Sequence, residues 1–380
     1  MTSFNVLRNF TTIALTACCA IGVSSARAQT YSLTDLGALP SMTATVATPA
    51  ALNDLAQVQV AGTSGTSAFR YTLSNTPPME DAGRNSPKSI ARGFGINSSG
   101  MVVGDSTFGP STHPTSRAAS FSNGSATDLG TLPNNGPFSR ANGINASGQV
   151  VGFSGDKLDG DSSRAFLTKV SIGPIRMTDL GTLGGKYAQA LGINDDGFVT
   201  GNSQIAGVDA PSHAFIWDTT TQMHDLGTLL GGDSSYGTSI NSQNHVAGYS
   251  TINSVDNRVH AFLYDGTTMT DLGSLGGASL ASDRSFALGV NATDQVVGYS
   301  YLPASINPIP GSKSKQVAFI SQQGTMVDLN GLIGAAANNY RLYSATAIND
   351  RGQIVAVAFD NSANAFHAVL LTPASVIPQP

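Results

Sequence analysis

The sequence predicts an all-β fold: a seven-bladed β-propeller of four-stranded blades. Three observations predict it: a motif set that recurs seven times, a composition rich in turn formers, and short β-rich segments in every copy. The pattern is clearest from Asp179 to Gly273, where two copies repeat with a period of about 46 residues. Each copy reads D-L-G-[TS]-L, then small residues ending in I-N, then V-A/T-G, then H-A-F.

The composition favours strands and turns over helices. The 380 residues include 42 glycines and 11% charged residues, and Glu80 is the single glutamate beside 23 aspartates. Glu and Lys are good helix formers, whereas Asp, Asn and Gly favour turns. The net charge is −5, or −7 without Arg8 and Arg27, so we expect no nucleic-acid partner.

The first 28 residues resemble a secretory signal peptide. Arg8 precedes an apolar run over residues 11–23, and Ala26-Arg27-Ala28 has the A-x-A form of a cleavage site. We therefore expect an extracellular or periplasmic protein with a single propeller domain over residues 29–373, a tail over residues 374–380 and no transmembrane segment. The alternative is a lipoprotein box ending at Cys18, which would anchor the protein in the outer membrane.

Each of the four recurring motifs predicts one strand. The D-L-G slot begins at Asp35, Asp81, Asp128, Asp179, Asp225, Asp271 and Asp328. The A-F slot contains Phe69, Phe121, Phe166, Phe215, Phe262, Phe319 and Val369. The chain starts in a fourth-strand slot and ends after a third-strand slot, so the first strand is expected to complete the last blade and hide the open edges.

The I-N slot predicts a tight hairpin between the first and second strands. The residue three positions later is Gly, Asn or Asp in six of the seven copies, and these residues tolerate a positive φ. The Asn side chain is expected to cap the turn. The turn residues are Asn97, Asn145, Asn194, Asn241, Asn291 and Asn349.

Variable loops concentrate at one end of the predicted propeller. If the small-residue strand is innermost, the second-to-third and fourth-to-first connections share one face, which we call the variable-loop face. They include residues 43–49, 106–116, 155–163, 302–316 and 334–341. Loop variation on a rigid scaffold is typical of a binding face, although tolerated insertions would look the same.

The motif set resembles the HAF-type extracellular repeat of exported bacterial proteins, from Tyr31 to Thr372. That resemblance implies export or surface exposure and brings no known catalytic residues. This chain has H-A at three copies only, with Arg164, Ser67, Val317 and Ala119 at the places equivalent to histidine.

The candidate binding residues occupy this histidine slot: Arg164, His213, His260 and His367. Equivalent places on neighbouring blades lie roughly 10 Å apart, whereas zinc needs ligands at about 2.0 to 2.1 Å, so no shared metal is expected. We instead expect His213 to reach Asp225 and His260 to reach Asp271. Asp156, Asp159 and Asp161 are calcium candidates, but they lack the complete EF-hand pattern, which favours a solvated loop.

The sequence contains no catalytic motif that names a reaction. It favours a non-catalytic binding or envelope scaffold that is monomeric, has no cofactor and meets an extracellular protein or glycan through the variable-loop face. One alternative is a propeller-type polysaccharide lyase or hydrolase, in which several charged residues would break the repeat symmetry around one funnel. The other is a purely structural envelope repeat.

Overall fold

The computed structural model describes residues 29–37, 47–75, 77–110, 112–157, 162–170, 175–253, 258–277, 283–303 and 315–374. These residues form β-strands and two short 3-10 helices, Leu329–Gly331 and Gly334–Asn338, and contain no α-helix. No helix in the described ranges has the length and apolar character needed to cross a membrane. The proposed leader and the tail from residue 375 lie outside these ranges.

The strands group into seven units, each with four strands hydrogen-bonded in sequence. Unit 1 comprises β2 (Ala47–Leu52), β3 (Gln59–Ser64), β4 (Ser67–Thr72) and β5 (Met79–Arg84). Unit 2 comprises β6 (Ala91–Ile96), β7 (Val102–Phe108), β8 (Thr115–Ser122) and β9 (Gly124–Gly130). Unit 3 comprises β10 (Phe138–Ile144), β11 (Gln149–Gly155), β12 (Arg164–Lys169) and β13 (Thr178–Asp179).

Unit 4 comprises β14 (Gly184–Ile193), β15 (Val199–Ile205), β16 (Ser212–Asp218) and β17 (Gln222–Asp225). Unit 5 comprises β18 (Ser235–Ile240), β19 (Val246–Asn253), β20 (Arg258–Tyr264) and β21 (Met269–Asp271). Unit 6 comprises β22 (Ser285–Val290), β23 (Val296–Tyr301), β24 (Gln316–Gln322) and β25 (Thr325–Asp328). Unit 7 comprises β26 (Tyr340–Ile348), β27 (Ile354–Asp360), β28 (Ala365–Pro373) and β1 (Tyr31–Gly37).

The four sequence slots correspond to the four strands of a unit. In unit 7 the last strand is β1, which pairs antiparallel with β28 from Tyr31 opposite Pro373 to Gly37 opposite Ala368. Units 1 and 2 share one eight-stranded sheet, because β5 and β9 form a short parallel pair. Strand β27 of unit 7 also contacts β2 of unit 1. All-β propeller architecture is therefore confirmed.

The assignment of the A-F slot in unit 2 is wrong by two residues. The V-G glycine pairs with the slot phenylalanine in other units, as Gly201 does with Phe215, but Gly104 pairs with Ala119. The place equivalent to histidine is therefore Arg117 rather than Ala119. Side chains two residues apart point to the same face of a strand, so Phe121 still fills the core at 1% exposure.

The slot phenylalanines form the cores between units, and the V-G glycines make room for the innermost strand. Phe69, for example, packs with Val355 and Leu370 of unit 7. A Cβ at Gly201 would lie 1.9 Å from the carbonyl oxygen of Gln189 on the first strand, so a side chain cannot be placed there without moving backbone.

The slot asparagines cap their hairpins, as predicted. Asn194 Oδ1 accepts a hydrogen bond from the backbone N–H of Phe198 at 2.9 Å, and Gly197 has a φ of +87°. The first copy differs, because Asn53 bonds to Gln59 across a longer turn and Ala56 is not among the residues with positive φ.

The same asparagines also link the units, which the sequence did not predict. The Nδ2 of each buried slot asparagine donates to the backbone carbonyl of the slot asparagine in the next unit, at 2.9 to 3.1 Å. Asn349 of unit 7 donates to the carbonyl of Asn53 in unit 1 at 3.0 Å. The seven amides thus form one cycle of hydrogen bonds, which we call the asparagine cycle.

Buried serines supply a second set of links. Ser235 and Ser285, in first strands, accept from the backbone N–H of Ala214 and Ala261 in the preceding unit. Second-strand Ser203 of unit 4 accepts from the N–H of Leu183, which lies in the connection from unit 3. These bonds satisfy backbone donors buried between strands, where an unpaired group is costly.

Replacing one member of the asparagine cycle should destabilise the protein. Asn194→Ala removes the turn acceptor for Phe198 and the donor to Asn241, and Asn194 is 7% exposed. We expect a loss of about 2 to 4 kcal/mol in the free energy of unfolding, measured by urea denaturation. The matched control is Asn361→Ala, because Asn361 is an exposed turn residue; equal stability of the two variants contradicts the role of the cycle.

Candidate functional site at the axial mouth

The first strands of all seven units surround a central passage, which contains a cavity of about 220 Å³. One position, three residues before each slot asparagine, faces this passage in every unit. Its occupants are Ala50, Phe94, Asn142, Leu191, Thr238, Leu288 and Thr346. These side chains are uncharged, and most are small or apolar.

The repeat symmetry is broken two residues earlier, toward the variable-loop face. There each first-strand residue pairs across the ladder with the residue that follows the V-G slot in the second strand. We call these pairs the mouth layer: Thr48–Thr63, Arg92–Asp105, Arg140–Phe153, Gln189–Asn202, Tyr236–Tyr249, Phe286–Tyr299 and Ser344–Val357. Core positions repeat from unit to unit, whereas these pairs change, so the mouth layer is the candidate site.

One side of the mouth layer is cationic. Arg92 forms a bidentate pair with Asp105 at 2.8 and 2.6 Å, and Arg140 Nε donates to the same carboxylate at 3.2 Å. Both guanidinium groups lie near the ring of Phe94, Arg140 at 5.0 Å from its centroid. Asp105 is 1% exposed, whereas the arginine side chains are 35% and 23% exposed. Two guanidinium groups therefore contact one buried carboxylate, and both are partly exposed.

The other side is aromatic. Tyr236 stacks on Tyr249 at 4.9 Å between ring centroids, Tyr249 meets Phe286 edge-on at 5.0 Å, and Phe286 stacks on Tyr299 at 4.8 Å. Tyr301 extends the series with an edge contact to Tyr299 at 6.1 Å. This aromatic ladder crosses from unit 5 to unit 6, and all five rings are half-buried.

Three tyrosine hydroxyls of the ladder, those of Tyr236, Tyr249 and Tyr299, are neutral donors without a partner in the described part of the chain. Burial raises the pKa of Tyr299 to about 12, and burial also raises the pKa of Tyr236 and Tyr249. These three hydroxyls form no hydrogen bond with the described part of the chain. They are therefore available to water or to a ligand.

The opposite end of the passage is acidic. A cavity of about 320 Å³ there is lined by five asparagines of the asparagine cycle together with Asp54, Asp195 and Asp350. Burial raises the pKa of Asp54, and the negative charges of Asp350 and Asp195 add to this, against a hydrogen bond from the Asp350 backbone. Each carboxylate accepts a backbone N–H from the neighbouring unit, as Asp195 does from Ala146 at 2.8 Å. These hydrogen bonds give the acidic residues a structural role.

The residues nominated from the sequence lie on third strands of separate units, each paired within its own unit. His213 Nδ1 lies 2.9 Å from both carboxylate oxygens of Asp225, and His260 Nδ1 lies 2.8 Å from Asp271, as predicted. His260 also reaches Asp283 through Nε2 at 2.8 Å.

Arg164 pairs with Asp179 at 3.1 Å beside an open pocket, and His367 pairs with Asp35 at 2.6 Å. Asp156 accepts from Ser162 at 3.3 Å, and Asp159 and Asp161 lie outside the described residues. None of the nominated residues belongs to the mouth layer. A usable signal existed, because Arg92 and Arg140 each stand five residues before a slot asparagine, in a strand with no other charged residue.

Fold and site together define a β-propeller with an asymmetric axial mouth. The chain belongs to the family described as "Protein of unknown function (DUF3466)", whose model matches residues 139–366. No curated protein sequence matches it.

Among solved structures, it is similar to the β-propeller domain of the Trilobed protease from Pyrococcus furiosus, described as having an open velcro topology. The TM-score is 0.50 at 10% identity, covering 88% of this chain and 100% of that chain. It also matches a puromycin-hydrolyzing peptidase of Mycobacterium tuberculosis with a TM-score of 0.46 at 12% identity, covering 82% of this chain and 50% of that chain.

The His260 site should make stability depend on pH. Burial alone lowers the pKa of His260, but hydrogen bonds to Asp271 and Asp283 and their charges outweigh it, so the pKa is raised. The stability contributed by the charged imidazole is then full below the unfolded value of about 6.5 and is lost as pH rises through the folded pKa. The destabilisation by His260→Gln, measured by urea unfolding, should be largest at acidic pH and shrink at alkaline pH. A difference that stays constant with pH contradicts this.

Proposed function

We propose that this protein is an exported, closed, seven-bladed β-propeller of the HAF-repeat type that binds a carboxylated glycan at its axial mouth without transforming it. The cycle of asparagines and the pairing of β1 with β28 support seven blades and closure. The leader-like residues 1–28 support export. The observation that carries the binding proposal is the mouth layer, where arginines and tyrosines break an otherwise repeated pattern.

The chemistry of the two sides fits a chain of acidic sugars. Guanidinium groups recognise carboxylates through paired hydrogen bonds, and Arg92 and Arg140 are partly exposed in a chain of net charge −5. Rigid tyrosine rings offer large contact area at low entropy cost, and their hydroxyls add hydrogen bonds. An acidic glycan could place a carboxylate beside the arginines and its hydroxyl-bearing sugar rings against the aromatic ladder. It would then contact both sides of the mouth layer at once.

Binding fits this mouth better than catalysis by a lyase or hydrolase does. The charged cluster at the mouth holds the kind of converging residues that an enzyme would use, but Asp105 is 1% exposed and shared by two arginines. Asp105 is therefore enclosed by its own partners and poorly placed to contact a substrate. A phenol acting as base near neutral pH needs a lowered pKa, whereas burial raises the pKa of Tyr299 to about 12.

Removing one arginine should weaken binding to an acidic glycan. With polygalacturonate as the probe and calorimetry as the measurement, Arg140→Gln should lower the affinity about tenfold, because one charge-assisted contact is lost. Asp105 keeps its bidentate bond to Arg92 in this variant. Neutral dextran should not bind.

The matched control is Arg164→Gln, an arginine outside the mouth layer that pairs with Asp179. It should bind polygalacturonate like the wild type. No binding by the wild type, or equal loss in both variants, overturns the proposed site. If the wild type releases unsaturated or reducing ends from polygalacturonate and Arg140→Gln does not, the protein is a lyase or hydrolase and not a non-catalytic binding protein.

Removing ladder hydroxyls should affect binding more than stability. In the double variant Tyr249→Phe with Tyr299→Phe, the rings stay in the ladder and the lost hydroxyls have no partner in the described chain. We expect weaker binding of polygalacturonate by several-fold and an unfolding free energy within about 0.5 kcal/mol of the wild type.

The control is Tyr187→Phe, because the hydroxyl of Tyr187 accepts from Ser212 at 2.7 Å and lies outside the mouth layer. This variant should lose stability and keep its affinity. If the ladder variant instead unfolds more easily and binds normally, the ladder is a packing element only.

A further inference from the structure

Unit 7 contains a second carboxylate beside its His–Asp pair; unit 5 also has one, Asp283, but there it contacts the other imidazole nitrogen, Nε2. Besides the contact of His367 with Asp35, Asp360 at the end of β27 lies close by. One ligand atom from each of these three residues lies within 4.8 Å of the other two. The hydroxyl of Tyr340 donates to Asp35 Oδ2 at 3.0 Å, on the same side. Four potential metal ligands therefore converge at the seam between the first strand and the last.

The position of Asp360 differs from that of its counterparts. Asp360 lies two residues after Ala358, the second-strand residue that pairs with His367. At the equivalent place unit 2 has Phe108 and unit 4 has Ile205. Unit 3 has Asp156 there, but its third strand carries Arg164 in place of a histidine. Asp360 is 6% exposed. A carboxylate buried where units 2 and 4 have apolar side chains is costly unless hydrogen bonds or a positive charge compensate it, and Asp360 Oδ1 accepts three hydrogen bonds from Ser362 and Ala363.

Existing hydrogen bonds already orient both carboxylates. Asp35 Oδ1 accepts from the backbone N–H of Gly37, and Asp360 Oδ1 accepts from Ser362. The second oxygen of Asp35 faces His367 and Tyr340. Preorganised ligands of this kind are typical of metal sites, where hydrogen bonds fix the ligating groups.

We propose that Asp35, Asp360 and His367 bind a divalent transition-metal ion of the zinc class, which we call the seam ion. Imidazole nitrogen and carboxylate oxygen are ligands that zinc accepts at about 2.0 to 2.2 Å. The ion takes the place of the hydrogen bond between His367 Nδ1 and Asp35 Oδ2, with the imidazole carrying its proton on Nε2, and these two groups separate slightly to admit it. Tyr340 or water completes the coordination. Calcium fits less well, because it prefers six or more oxygen ligands.

The seam ion would join the two ends of the described chain. Asp35 lies on β1, whereas Asp360 and His367 lie on β27 and β28. An ion bound to all three residues stabilises the pairing of β1 with β28. Because it binds only the folded state, it raises the free energy of unfolding by mass action. This role is independent of glycan binding at the mouth.

The test uses the chain from Gln29 to Pro380, stripped of metal with a chelator. Titration with zinc chloride against a chromophoric zinc indicator should show one site per chain, and zinc should raise the melting temperature by a few degrees. Asp360→Asn and His367→Gln should each weaken the binding of zinc at least about tenfold and abolish the rise. The amide oxygen introduced by Asp360→Asn can still accept the turn bonds of Ser362, so this variant should melt like the wild type in chelator.

Asp225→Asn is the matched control, because its His213–Asp225 pair has Ile205 where unit 7 has Asp360. It should bind zinc like the wild type. The proposal is overturned if the wild type binds no zinc, or if zinc binding and the rise in melting temperature survive in Asp360→Asn and His367→Gln.

Discussion

The asparagine cycle is the interaction on which the rest of the fold depends. The innermost strand of each unit has no strand beside it on the axial side, so its turn exposes backbone groups that need partners. One asparagine side chain supplies partners for two sets of backbone groups. Its oxygen accepts a hydrogen bond within its own hairpin, and its nitrogen donates to a carbonyl of the next unit. The small residues around it let seven strands approach the axis, and each strand position is thereby fixed relative to its neighbours.

A frame fixed in this way leaves the mouth layer free to differ between units. Its side chains lie at the end of the first strand away from the cycle, where substitution does not disturb the buried amides. The chain uses this freedom unevenly, with two arginines around Asp105 on one side and stacked tyrosines on the other. The seam carries a comparable departure from the repeat, because Asp360 stands where units 2 and 4 have Phe108 and Ile205. The proposed glycan site and the proposed seam ion both lie where units depart from the shared pattern.

Repetition explains what could be predicted from the sequence. The strands, the turn at Asn194 and the pairing of His260 with Asp271 follow from local chemistry repeated in register. The link from Asn194 to Asn241 could not be predicted, because a bond between units depends on how the sheets pack. Phe121 misled the alignment of unit 2, because a residue two positions away fills the same face. The mouth layer was not predicted, because Arg92 and Tyr236 occupy equivalent positions in their units but are different residue types. No recurring motif therefore marks that position.

We propose that one asymmetric mouth on a closed ring of blades receives an acidic glycan. A crystal structure of the chain from Gln29 with an oligogalacturonate tests it most directly. We expect a sugar carboxylate within hydrogen-bond distance of Arg140 or Arg92 and sugar rings against Tyr249 and Tyr299, with β1 completing the last blade. Glycan bound at the acidic end beside Asp54 and Asp350, or a first strand displaced from β28, would contradict the account.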